Sequence, residues 1–115
     1  MGYQLIPQEH RHRVDLADQA LRFLYESGSP LVGRLVLSIA ADGPDNIKAI
    51  AQRIGVPTTS AWAAVRSVSL GRIRNGKVIP PRAKLLCITR SGDGNGRFVY
   101  LTPQGNDLAR ALAGL

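Results

Sequence analysis

The sequence is poor in cysteine, in aromatic residues and in long apolar runs. Its 115 residues include one cysteine, Cys87, which excludes an intrachain disulfide, and only 5% are aromatic. The most apolar stretch, 31–41, contains Arg34 and is too short to span a bilayer, and no apolar signal region opens the chain. We therefore expect a protein of the reducing cytoplasm with no membrane partner.

Catalytic and metal-binding patterns are also missing from the sequence. It has no paired carboxylates, no serine or cysteine near a plausible histidine base and no zinc-spaced cluster. His10 and His12 lie beside Glu9 without a fourth ligand, so solvated histidines are expected there. The glycine loop 92–96 leads into a strand and not into a helix, which excludes a P-loop. The sequence predicts neither an enzyme nor a cofactor or metal site.

Acidic residues are scarce in the centre of the chain. Between residues 46 and 106, ten basic residues accompany the single acidic residue Asp93, although the whole chain carries a net charge of only +7. One-sided charge across a folded region indicates a surface that contacts a polyanion. A solvated basic face that only maintains solubility would give the same composition.

One folded domain accounts for the length, with a polar lead-in over 1–13 and the domain over 14–115. Apolar spacing, capping residues and β-branched runs predict a mainly α-helical domain with one small β-hairpin. Gly55 and Gly71 are expected to end the third and fourth helices. The predicted helices cover 14–26, 30–41, 46–54, 58–70 and 103–112, and the predicted strands cover 84–90 and 97–102.

The segment 72–83 carries two local signals between these elements. Asn75 and Gly76 form a pair that could turn a small extra hairpin. Pro80 and Pro81 exclude a continuous helix or a central strand at that point.

The segment 47–66, IKAIAQRIGVPTTSAWAAVR, has the spacing of a helix-turn-helix. Ala51 is small where two helices would cross, and Gly55 lies at the tight turn, where a left-handed backbone is easiest without a side chain. Five apolar residues fall at inward positions: Ile50, Ile54, Val56, Ala61 and Ala64. Six residues would face outward along the second helix, which in such units enters a major groove: Pro57, Thr58, Thr59, Trp62, Ala63 and Arg66. A purely structural helical pair could share part of this pattern.

The predicted order of elements is α-α-α-α-β-β-α, with the glycine-tipped basic hairpin after the helix-turn-helix. This order predicts a winged helix-turn-helix whose wing is the hairpin. In two places the chain resembles the MarR-type regulators of bacteria. The segment 50–73 is similar to their helix-turn-helix, and 88–105, ITRSGDGNGRFVYLTPQG, is similar to their wing and the following Leu-Thr-Pro-x-Gly helix start. The matching residues of that signature are Leu101, Thr102, Pro103 and Gly105.

The resemblance implies a transcriptional regulator that binds a roughly palindromic duplex as a homodimer through its terminal helices. Wings of the family carry an Asp and Arg pair that braces an arginine against the minor groove, and Asp93 and Arg97 are similar in type. The basic segment 72–83 looks like an insertion relative to the family. No small-molecule effector is identified by the sequence.

Sequence-specific binding to double-stranded DNA is therefore the predicted function. The expected phosphate contacts come from Lys48, Arg53 and the basic residues 72–84, which include Arg72, Arg74 and Lys77. The expected base-edge contacts come from Thr58, Thr59, Trp62 and Arg66. Arg90 and Arg97 would place the wing in or beside the minor groove. The alternative is a winged-helix module that binds an acidic protein in a replication, partition or phage assembly, because such a partner would explain the charge equally well.

Trp62 and Cys87 each allow two interpretations. Trp62 could pack on a sugar or a thymine methyl, or it could cover the junction of its helix with the hairpin or with 72–83. Cys87 could sense oxidants, but its place in the middle of a strand favours a buried, unreactive thiol.

Overall fold

Five α-helices and five short strands make up the computed structural model, which describes residues 4–27, 29–70, 72–79, 81, 83–90 and 97–115. A 3-10 turn, Gln8–His10, leads into the first helix. The elements are α1 (Arg11–Ser27), α2 (Pro30–Asp42), β1 (Asp45–Asn46), α3 (Ile47–Ile54), α4 (Thr58–Ser67), β2 (Arg72–Arg74), β3 (Lys77–Ile79), β4 (Leu86–Arg90), β5 (Arg97–Leu101) and α5 (Pro103–Leu112). The expectation of a mainly helical domain is confirmed, and the predicted hairpin is part of a small antiparallel sheet.

Side-chain caps explain where three of the helices begin. The side-chain oxygens of Ser29, Asn46 and Thr102 each accept a hydrogen bond from the amide three residues later, at 3.3, 2.8 and 3.0 Å. These bonds satisfy amides that have no partner inside α2, α3 and α5. Proline follows the cap at the start of α2 and of α5, where its missing amide costs nothing.

Two helix boundaries differ from the predicted ones by three residues, and the others agree within one residue. α1 begins at Arg11 and not at residue 14. Its first turn is polar, and on its solvent side Arg11 forms an ion pair with Asp15 at 3.6 Å. A polar turn of this kind shows no apolar period, so the predicted lead-in was too long.

The fourth helix ends at Ser67 and not at residue 70. The carbonyl of Val68 accepts hydrogen bonds from the amides of Leu85 and Leu86, at 2.9 and 3.4 Å, which draws the chain out of the helix. Gly71, the expected end of this helix, lies outside the described residues.

The predicted hairpin is present as the antiparallel pair β4 and β5, with Ile88 opposite Val99. Its predicted tip, 91–96, lies outside the described residues. Sequence patterns missed a third strand, the two-residue β1, which pairs with the other edge of β5 and places Asp45 opposite Val99. The sheet order is therefore β1-β5-β4.

The small extra hairpin is also present, formed by β2 and β3. Asn75 and Gly76 have φ angles of 52° and 75°, the left-handed values that a tight two-residue hairpin turn requires.

The core lies around α2, whose Leu35 and Val36 are fully buried. α1 and α5 pack on one another and on α2, while α3 and α4 also pack on α2. The other fully buried large side chains are Ile50, Val65, Leu86 and Val99. Helices and sheet therefore share one core, which holds the α3 and α4 pair against the β4–β5 hairpin. Among the described residues, no helix has both the length and the apolar character needed to cross a lipid bilayer.

Candidate nucleic-acid interface

The turn between α3 and α4 is built on Gly55. Its backbone has φ 72° and ψ 38°, in the left-handed region that glycine adopts without strain. The amide of Val56 donates to the carbonyl of Ala51 at 3.1 Å, which completes the helix end. Ala51 itself is buried, as a close crossing of two helices requires.

The inward residues of this helix pair follow the predicted pattern. Ile50 and Ala61 are fully buried, and the remaining three are half-buried: Ile54, Val56 and Ala64. Val65 is also fully buried, although it was not assigned to the inward set. Its place four residues after Ala61 was the signal for it.

Arg34 binds the end of α3, a contact that the sequence patterns did not predict. Arg34, on α2, donates from its guanidinium to the carbonyl of Ile54, the last residue of α3. A cation at the carboxyl end of a helix satisfies an unpaired carbonyl and opposes the negative end of the helix dipole. Arg34 therefore ties the turn before α4 to the central helix of the core.

The outward residues of α4 form an open surface. Pro57, Thr58, Thr59 and Ala63 are exposed, while Trp62 and Arg66 are half-buried. Thr59, Trp62 and Arg66 are three and four residues apart, so they share one face of the helix. No side chain caps the start of α4, because Pro57 occupies the cap position. The start of α4 therefore presents its hydroxyl side chains to solvent.

Trp62 contacts the hairpin. The guanidinium carbon of Arg97, the first residue of β5, lies 5.1 Å from the centre of the Trp62 ring. Of the interpretations open for this tryptophan, the geometry favours the one in which it covers the junction between its helix and the hairpin. The contact brings two residues of the predicted site together, one from each element.

Arg53 has a partner inside the protein. Its guanidinium donates to the Asp45 carboxylate at 2.8 Å and to the carbonyl of Gly43 at 3.1 Å, which joins α3 to the segment before it. The amide of Asn46, 2.8 Å from the Asp45 carboxylate, and the guanidinium of Arg53 lower the pKa of Asp45. Because the pKa of Asp45 is lowered, the interactions of its carboxylate with Asn46 and Arg53 stabilise the fold at neutral pH. This stabilisation is lost in acid, as the pH falls through the pKa of Asp45 in the folded protein. A phosphate contact from Arg53 stays a prediction. In such a contact, the guanidinium of Arg53 would bind the phosphate and the Asp45 carboxylate together.

The other expected phosphate contacts divide into two groups. Lys48, in the first turn of α3, and Lys77, in β3, are exposed. The side chains of Arg72, Arg74 and Arg90 lie outside the described residues, and so does the whole of Asp93. The backbone register nevertheless pairs Arg90 with Arg97, so two basic residues occupy opposite positions of the hairpin.

Cys87 lies half-buried in β4, opposite Tyr100 of β5. Within the described ranges, no three side chains of His, Cys, Asp or Glu lie close enough to hold a metal ion. Comparison with models of known protein families and with curated proteins finds no match for the chain.

Proposed function

We propose that this chain is a winged-helix protein of the MarR-like type that binds double-stranded DNA sequence-specifically and regulates transcription. The observation that carries the proposal is the contact of Arg97 with Trp62, 5.1 Å from guanidinium carbon to ring centre. It joins a basic hairpin to the exposed face of α4, so both can meet one duplex. The glycine turn between α3 and α4 and the order of helices and strands support the same fold.

In this proposal α4 lies in the major groove and the rest of the basic surface contacts the backbone. The start of α4 carries the exposed hydroxyls of Thr58 and Thr59, which can hydrogen-bond to either bases or phosphates. Arg66 follows Thr59 by seven residues on the same face, and its forked guanidinium matches the O6 and N7 acceptors of guanine. Lys48 and Arg97 would neutralise phosphates on either side of the groove.

In-vitro selection from random duplexes tests the proposal. We expect an enriched sequence motif with two related half-sites, because a symmetric dimer reads a palindrome. Recovery of no motif, together with binding to an acidic protein surface, would instead establish the interaction-module alternative.

Replacement of Arg66 by alanine tests the assignment of the recognition helix. Arg66→Ala should weaken binding to the selected duplex by about 1–3 kcal/mol and relax the preference at one base pair in each half-site. Binding isotherms on the selected and a scrambled duplex measure both effects. Arg110→Ala removes an exposed arginine of the same charge from α5 and should leave both isotherms nearly unchanged. If Arg66→Ala binds both duplexes as the parent protein does, α4 is not the reading helix.

We further propose that α1 forms the interface of a homodimer. Its solvent side exposes Val14, Leu21 and Tyr25, with Leu21 58% and Tyr25 87% exposed. These residues follow one stripe of the helix at spacings of seven and four. α1 carries three arginines and three acidic residues, so a second copy meets both signs of charge, whereas the basic face of α3, α4 and β5 would repel its own copy. The second copy is therefore expected on α1.

Light scattering at micromolar concentration should give twice the 12.4 kDa mass of one chain. Leu21→Lys places a charge in the apolar stripe and should shift the protein to the single-chain mass. Val78→Lys is a matched control, because Val78 is 66% exposed but lies in β3. A 12.4 kDa particle for the parent protein, with and without DNA, would contradict the dimer.

A further inference from the structure

Arg97 extends from the inner face of the sheet. Side chains alternate along a strand, so Arg97 lies on the same face of β5 as Val99, which is fully buried. Phe98 and Tyr100 lie on the opposite face, where their rings are 6.3 Å apart. Arg97 is therefore directed toward the helices, and its guanidinium reaches the ring of Trp62.

The Trp62 ring lies over one side of the guanidinium. Among the described residues, no carboxylate forms an ion pair with Arg97, and its side chain is exposed. A guanidinium that lies over an aromatic ring has its N–H donors at its own edges, where they can bind a phosphate with two parallel hydrogen bonds. The contact with the ring also limits the rotamers of the arginine before a ligand binds, which lowers the entropic cost of binding.

We propose that Trp62 is a positioning residue that holds Arg97 beside α4, where the guanidinium binds a backbone phosphate at the edge of the major groove. This inference rests on the proposed function. It replaces the expectation that Arg97 enters the minor groove, because the contact with Trp62 holds the guanidinium beside α4. Trp62 then acts through Arg97 and makes no base contact of its own.

The free protein offers the first test, since Trp62 is the only tryptophan in the chain. Arg97→Ala removes the side chain that covers the indole of Trp62. In the absence of DNA, this variant should therefore show tryptophan emission at a longer wavelength than the parent protein. Arg110→Ala removes an exposed arginine from α5 and should leave the emission unchanged. Identical emission in the parent protein and Arg97→Ala would overturn the contact on which the inference depends.

A double-mutant cycle on duplex DNA provides the second test. Arg97→Ala should weaken binding about fivefold to tenfold near 0.1 M salt and lower the slope of log affinity against log salt by about 0.9 per bound chain, the effect of one lost phosphate contact in each chain. Trp62→Leu keeps the apolar bulk but loses the ring, and it should weaken binding about twofold to fivefold. In the Arg97→Ala background, Trp62→Leu should have almost no effect, so the two losses do not multiply.

Aromatic rescue separates positioning from a general structural role. Trp62→Phe retains a ring face and should bind duplex DNA more tightly than Trp62→Leu, with both variants melting at similar temperature. If the effects of Trp62→Leu and Arg97→Ala multiply, Trp62 makes its own contact and the inference is overturned while duplex binding stands. Failure of the parent protein to bind any duplex would overturn the proposed function, and this inference with it.

Discussion

Affinity for duplex DNA is expected to fall about 10³-fold to 10⁵-fold when the salt concentration rises from about 50 to about 200 mM. The reason is the one-sided charge of residues 46–106, where ten basic residues accompany one acidic residue. A dimer that neutralises on the order of 6–10 phosphates releases a comparable number of condensed counterions, and their release becomes less favourable as salt increases. Fluorescence anisotropy of a labelled duplex, titrated at several salt concentrations, measures the slope.

The structure predicts which single substitutions lower this slope most. Lys48→Ala removes an exposed lysine that forms none of the ion pairs found among the described residues, so it should lower the slope by about 0.9 per bound chain. Arg53→Ala should lower it less, because Asp45 already holds that guanidinium at 2.8 Å. Binding that is insensitive to salt, or that is undetectable at low salt, would contradict the proposed polyanion surface.

The starts of three helices, α2, α3 and α5, could be predicted from sequence because they depend on neighbouring residues. Ser29, Asn46 and Thr102 cap helices through hydrogen bonds that span three residues, and such local bonds leave a direct sequence signature. The turn at Gly55 is local in the same way, since its left-handed backbone closes bonds within α3. The outward set of α4 then follows from helical periodicity alone.

The parts that sequence patterns missed depend on contacts between distant segments. β1 is two residues long and exists because Asp45 and Asn46 pair with β5, more than fifty positions along the chain. The early end of α4 depends on hydrogen bonds from Leu85 and Leu86 to the carbonyl of Val68. Neither strand pairing nor these bonds have a local period, so a periodicity argument could not find them.

The candidate site shows the same division. That Trp62 faces outward could be predicted from its spacing, but its partner Arg97 lies on another element, 35 positions further along the chain. Sequence reasoning could only leave the contact open as one of two alternatives. Arg53 was expected to contact a phosphate, whereas the fold also brings the carboxylate of Asp45, in β1, to its guanidinium, and a helical pattern does not describe that strand.

Gly105→Ala should unfold or severely destabilise the protein, although alanine is the better helix former. A Cβ atom at this position would lie 2.0 Å from the carbonyl oxygen of Leu85 and 3.0 Å from its carbonyl carbon. Leu85 cannot easily retreat, because its carbonyl accepts from the amide of Thr102 at 3.1 Å and its amide donates to Val68 at 2.9 Å. Overpacking with loss of one such bond should cost about 2–4 kcal/mol of unfolding free energy, a large share of a typical domain's stability.

Gly55→Ala is the matched control, because it adds the same methyl group where nothing lies within 4 Å of the new Cβ atom. Its cost comes only from the left-handed φ of 72° and should be about 1 kcal/mol. Urea denaturation followed by circular dichroism gives both free energies. A loss for Gly105→Ala no larger than that for Gly55→Ala would mean that α5 can shift away from Leu85. The close approach of α5 to Leu85 would then not explain why glycine occupies position 105.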